Sequence, residues 1–421
     1  MPKNSRSVVP LMLALIFLVG AANEVAHRGR ILDAVTGRPI EGALVTLDDA
    51  VVQTDVNGRF QIRGSVPPIG VRAYGYLREW VDLRQHHDGA QDVALKPFSP
   101  KALYLSFYGI GDRALRQSAL DLMETTEINA LVIDVKGNRG RIPYKSKVPL
   151  AAQVGAQQVI TVKDIEGLLR SLHEKGVYTI ARIVVFKDNP LASARPDLAV
   201  KAPSGTVWHD REDLAWTDPF KKEVWDYNVA VAVEAARYGF DEIQFDYVRF
   251  PDARGLVFSM PNTEETRVRA ISDFLQLARK KLTPYNVFLA GDIFGYVCWN
   301  LDDTGIGQRL EKLALHLDYL SPMLYPSGFH AGVPGISNPV AHPYEIVYRS
   351  LARARERTGL PPVRFRPWLQ AFRDYAFDRR LFTAGEIREQ IRAAEDFGAN
   401  GWMLWNPENI YSTDGLKSLG R

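Results

Sequence analysis

The sequence predicts a multi-domain chain: a small all-β sandwich over residues 27–97, then an α/β (β/α)8 TIM barrel over residues 101–421. Three observations predict it. Between 27 and 97, short β-prone runs alternate with turn residues. From 101 onward, apolar runs alternate with longer charged, helix-prone runs, and eight apolar runs can be counted. Finally, 421 residues with 46% hydrophobic and 24% charged content exceed one small domain and suffice for a large core.

Residues 1–22 read as an export signal. Lys3 and Arg6 form a positive start, 8–19 are almost wholly apolar, and Gly20-Ala21-Ala22 offer a small-residue cleavage site. The apolar run is short for a membrane span and is interrupted by Pro10. An uncleaved anchor is the other reading, and it is the one route to a membrane partner. The expected location is secreted or periplasmic, in a bacterial envelope. The formal net charge is +3, of which Lys3 and Arg6 supply two. So balanced a chain gives no reason to expect nucleic acid. Cys298 is the single cysteine, so no intramolecular disulfide can form, and no HExxH-type spacing occurs. No cofactor and no metal are expected. Nothing in the chain bears on its oligomeric state.

The β block carries strand-like runs at 29–32, 43–47, 59–62, 71–76 and 91–95, with a turn at Asp55-Val56-Asn57-Gly58. Its residues Gly29-Arg30-Ile31, Asp33, Thr36-Gly37, Pro39-Ile40, Gly42-Ala43, Val45, Thr54-Asp55, Asn57-Gly58 and Phe60 resemble the carboxypeptidase regulatory-like domain family. That resemblance implies a non-catalytic accessory on an exported protein. His86, His87 and Asp88 are a conceivable metal cluster, but a solvated loop is the simpler expectation. Pro97, Ser99 and Pro100 make a short stiff linker, which places the boundary.

In the second block the strand candidates are 103–108, 130–135, 178–185, 242–246, 287–292, 319–324, 365–369 and 401–405. Helical runs fall at 114–126, 162–175, 220–237, 263–282, 307–316, 343–358 and 384–397, several closed by glycine. The last helix is expected to be short or missing. An open doubly wound sheet is the alternative, but no glycine-rich phosphate loop follows the first strand.

Catalytic groups of such barrels project from the C-terminal ends of the strands. The polar residues there are Asp134 and Lys136 after the second strand, Asp246 and Arg249 after the fourth, and Asp292 after the fifth. Arg182 lies within the third. Tyr325, Gln370, Trp402, Trp405 and Asn406 close the ring. Adjacent parallel strands lie about 5 Å apart, so Asp246 and Asp292 can form the carboxylate pair of a glycosidase. Arg249 is expected to keep Asp246 ionised as nucleophile, and the more apolar setting of Asp292 suits a protonated acid. Asp134 and Lys136 are expected to pair and orient the site. The long stretch 186–219 brings Trp208 over the same face as a sugar-stacking candidate, and 326–343 is a second lid candidate.

The stretches 129–136, 240–251, 291–295, 318–326 and 401–406 resemble a bacterial family of glycoside-hydrolase-like barrels, a domain otherwise of unknown function. The resemblance implies a barrel distantly similar to α-glycosidases that place a nucleophilic Asp at the end of strand four. The resulting expectation is an exported glycoside hydrolase acting on a polysaccharide or oligosaccharide. The alternative is a non-catalytic carbohydrate-binding or cell-envelope protein on the same barrel.

Overall fold

The computed structural model describes residues 25–64, 68–82 and 90–419. Residues 1–22 and the His86–Asp88 cluster lie outside them. The N-terminal region forms two sheets. Strands β1 (Val25–Asp33), β4 (Arg59–Gly64) and β7 (Ala90–Leu95) make one, in the order β4-β1-β7. Strands β2 (Leu44–Leu47), β3 (Ala50–Gln53), β5 (Ile69–Arg72) and β6 (Glu79–Val81) make the other, in the order β3-β2-β5-β6. Alternation along β4 buries Phe60 and Ile62 and exposes Arg59 and Gln61. Those two meet Ile31, Val45, Val71 and Leu95 in one core shared by the two sheets.

Eight parallel strands then close into a barrel. They are β8 (Lys101–Leu105), β9 (Ala130–Lys136), β10 (Tyr178–Val184), β11 (Glu242–Asp246), β12 (Phe288–Phe294), β13 (Tyr319–Met323), β14 (Trp368–Gln370) and β15 (Trp402–Trp405). The main outer helices are α1 (Arg113–Thr125), α3 (Ile165–Glu174), α5 (Lys222–Tyr238), α6 (Glu264–Leu282), α8 (Pro343–Thr358) and α9 (Ala384–Phe397). Side chains start them: Asp112 accepts from the amides of Ala114 and Leu115, and Thr383 with Glu386 forms a capping box. Gly239 ends α5 at φ 111°, a conformation that turns the chain straight into β11. The barrel closes between β15 and β8. There Gly401 passes so near Pro100 that a Cβ would stand 1.8 Å from its carbonyl oxygen.

Two predicted elements come out shorter. The run 307–316 yields only the one-turn α7 (Leu310–Leu313), and the seventh strand shrinks to Trp368–Gln370. No helix follows β15 among the described residues. Instead the chain folds back over the barrel wall, where the Tyr411 hydroxyl donates to the Tyr104 carbonyl and Ser418 bridges Thr126.

Inside the barrel, period-two alternation stacks side chains in layers. The lowest holds an ion pair, Arg366 Nη1 donating at 2.7 Å to both oxygens of Glu242, which also accepts from the Tyr178 hydroxyl. Above it, the Gln244 amide reaches Ser321 and Met403 across the interior. Against the base of the barrel sits the β-rich domain. Arg72 donates to Asn286, Arg78 to Asp241 and to the carbonyls of Gly239 and Phe240, and Tyr74 packs edge-on to Tyr319. All of these barrel positions lie before or at the start of their strands. The accessory domain therefore docks on the face opposite the strand ends that carry the candidate site.

Candidate active site

The top interior layer is a cluster of three carboxylates around one guanidinium. Asp134 of β9 and Arg182 of β10 are paired in register, and Arg182 Nη1 donates to Asp134 Oδ1 at 2.6 Å. Arg182 Nε and Nη2 both donate to Asp246 Oδ2, at 3.0 and 2.5 Å. The same Nε stands 4.0 Å from Asp292 Oδ2. Nη2 is completed by Asn138 Oδ1 at 2.7 Å. The guanidinium is nearly fully buried and lies over the Tyr104 and Trp405 rings, which stack with centroids 3.9 Å apart. Sharing one Arg182 nitrogen, Asp246 and Asp292 have their Oδ2 atoms no more than 7.0 Å apart.

Each carboxylate has a different setting. Asp134 is committed: its Oδ2 accepts from the Tyr104 hydroxyl at 2.9 Å and the Phe107 amide at 3.1 Å. Burial nevertheless raises its pKa, against the opposing pull of Arg182. Asp292 Oδ1 accepts from Trp368 Nε1 at 2.7 Å, while its Oδ2 has no hydrogen-bond partner among the described residues. Burial first, then the neighbouring charge of Asp246, push Asp292 well above the usual carboxylate range, more than Arg182 offsets. One cation among three acids leaves the cluster short of positive charge, which disfavours the charged form of Asp292.

Asp246 faces open space. It lines a cavity of about 180 Å³ with Arg182, Tyr247, Tyr325, Trp368 and Trp405. Its aim is set by the turn behind it. Tyr247 has φ 47°, a region bulky residues rarely enter, and its amide donates to Asp246 Oδ1 at 2.6 Å. Asp292 lies directly behind the cavity wall made by Arg182 and Trp368.

Several predicted site residues lie elsewhere. Lys136 does not pair with Asp134. The β9–β10 ladder shifts register after Arg182, so Lys136 turns outward to a buried ion pair with Asp188. Arg249 does not hold Asp246; it lies over the Trp216 and Tyr247 rings and donates to the Phe250 carbonyl. Arg182 is the cation that contacts Asp246. Trp402 is fully buried in the outer core between strands and helices, because inward positions on β15 are Met403 and Trp405. Gln370 and Asn406 are spent on loops, the first on Ser327 and the Phe372 carbonyl, the second on the Ala371 and Ile410 carbonyls. Trp208 lines an adjoining cavity rather than the central one. Tyr104 and Trp368, not singled out in the sequence, are the neutral donors to the carboxylates. Trp368 was within reach, since it precedes Gln370 by two on a strand.

The molecule is thus a closed parallel barrel with a buried arginine–carboxylate cluster at its C-terminal mouth. Residues 102–411 match the family described as "Putative glycosyl hydrolase domain", and the chain belongs to it. Among solved structures, the glycoside hydrolase domain of PgaB (BpsB) from Bordetella bronchiseptica shares the fold. It has TM-score 0.54 and 15% identity, over 75% of this chain and 95% of its own. A hypothetical protein from Ruminiclostridium thermocellum is 36% identical over 45% of this chain and 96% of its own, with TM-score 0.41. Catalytic domain 2 of a group II chitinase from Ostrinia furnacalis matches with TM-score 0.43 and 10% identity, over 74% and 90% of the two chains. No curated protein matches.

Proposed function

We propose that the protein hydrolyses glycosidic bonds of a polysaccharide, with Asp246 as the reacting carboxylate and Asp292 as its acid partner. One observation carries the proposal: two carboxylates meet on a single Arg182 nitrogen, at 3.0 and 4.0 Å, one on the cavity wall and the other buried behind it. Asp246 receives two charge-assisted bonds and faces the cavity, where a nucleophile must stand. Asp292 is driven toward its neutral form, as a proton donor requires. Their separation is compatible with the roughly 5–5.5 Å of a retaining pair. In that chemistry Asp246 attacks the anomeric carbon while a proton from Asp292 releases the leaving sugar. Water then gives a proton back to Asp292 and attacks the same carbon, which breaks its bond to Asp246 and frees the sugar. Tyr325, Trp405 and Arg249 line the cavity as substrate contacts.

We place this activity outside the cytoplasm, on the strength of the charged and apolar pattern of residues 1–22. The accessory β domain, with its carboxypeptidase regulatory-like residues, serves in this reading as a base for the barrel. The test is reducing-end release from a panel of soluble polysaccharides, by the purified protein and by Asp246→Asn. Release by the former alone supports the proposal. Sugar binding without release by either protein overturns it in favour of a carbohydrate-binding role.

A further inference from the structure

The cavity that holds Asp246 is the middle of three. Tyr247 and Arg249 also line a cavity of about 450 Å³ on one side. Asn138 and Trp405 also line one of about 260 Å³ on the other. Asp246 thus stands in a groove of cavities that share wall residues across the barrel mouth.

The 260 Å³ cavity has an unbalanced charge. Arg139 and Arg141 stand on its wall, and its one acid is Asp134. Asp134 is not free to neutralise them, because both its oxygens are taken by Arg182, Tyr104 and the Phe107 amide. Among the described residues Arg141 donates only to the Tyr108 hydroxyl, at 3.4 Å. Among the described residues the Arg139 side chain has no hydrogen bond or ion pair. Arg195, Arg269 and Arg380, by contrast, are each matched, the first with Asp197 and Glu223, the second with Glu265 and the third with Asp378. Beside the two unmatched guanidinium groups, Tyr108 is 56% exposed and Trp405 supplies a second aromatic face. Aromatic rings suit the apolar face of a pyranose, and paired guanidinium forks suit a planar or tetrahedral oxyanion.

We propose that this cavity is a subsite for an anionic sugar unit, a uronate or a sulfated sugar, whose charged group is taken by Arg139 and Arg141. The proposal rests on the glycosidase reading of the same groove, and makes the substrate an acidic polysaccharide.

Affinity electrophoresis of the purified protein tests it. One set of gels contains pectate, alginate or hyaluronan, each beside its carboxyl-reduced neutral form. A second compares dextran sulfate with dextran. Retardation by at least one acidic polymer is expected, lost on removal of the charge and weakened roughly tenfold or more by Arg139→Gln with Arg141→Gln. The two sets distinguish carboxylate from sulfate. Both side chains are at least partly solvent-exposed, and circular dichroism checks that the double variant folds. Retardation unchanged by charge removal or by the double variant overturns the proposal, as does no retardation by any acidic polymer. Reducing-end release confined to neutral polymers would remove the acidic subsite and leave the hydrolase reading standing. Charge-dependent retardation without release would do the reverse.

Discussion

Arg182 meets Asp246 with two nitrogens on one oxygen, Nε at 3.0 Å and Nη2 at 2.5 Å from Oδ2. The other Asp246 oxygen is held by the Tyr247 amide. A carboxylate so fixed cannot turn away from the cavity. The cost is that Arg182 becomes the only cation of a buried layer with three acids.

Arg182→Met should therefore unfold the protein more easily as well as silence it. Removing one member of a buried ion pair leaves uncompensated charge, worth roughly 3–5 kcal/mol. Asp134, already lifted by burial, rises further once its cation is gone. Protonation then relieves the layer at low pH. Urea unfolding at pH 5 and pH 8 should show the larger stability loss at pH 8. An equal loss at both would mean that the guanidinium acts through packing alone.

The two acids should fail differently when amidated. A variant lacking its nucleophile is slow on every leaving group. One lacking its general acid recovers when the leaving group needs no proton, and such proton transfer is worth about 10²–10⁴-fold. Asp246→Asn should stay inactive on an activated aryl glycoside of the substrate sugar. Asp292→Asn should regain much of its loss there. Equal recovery of both variants would exchange or dissolve the assigned roles.

Why some of this was legible in the sequence, and some not, follows from what each feature depends on. The run 242–246 coincides with β11, because an apolar stretch between a glycine-stopped helix and a turn leaves one reading. Asp134, Arg182, Asp246 and Asp292 stood out as charges in or ending apolar runs. Their partners did not, since pairing depends on which face of each strand turns inward. Alternation alone separates Trp405 from Trp402, and would have found Trp368. The outward turn of Lys136 follows from a ladder irregularity that leaves no mark in composition. Tyr104 comes to Asp134 from a neighbouring strand, a contact made by barrel closure.

Asp292 also sets a sign for pH dependence. Its folded-state pKa lies well above the ordinary 3.8. Its contribution to stability is therefore full below that ordinary value and is lost as pH rises through the raised one. Activity should fall over the same upper limb, where the proton donor is spent. On an activated substrate Asp292→Asn should lose that limb, and its stability should decline less at alkaline pH than that of the natural protein. A limb that persists in Asp292→Asn would assign it to another group.

The base of the barrel offers the contrasting case. Glu242 is a strand acid like Asp246, but it lies at the other end of β11 and is closed in by Arg366 and Tyr178. No cavity reaches it among those that open at the barrel mouth. Glu242→Gln strands Arg366 with a buried charge, so it should cost roughly 3–5 kcal/mol of stability. Turnover per folded molecule should stay as in the natural protein, because the cluster around Arg182 is built from a separate layer. Thermal unfolding and reducing-end assays on the same preparation would separate the two effects. A fall in turnover matching that of Asp246→Asn, with stability unchanged, would move the chemistry from the mouth of the barrel to its base.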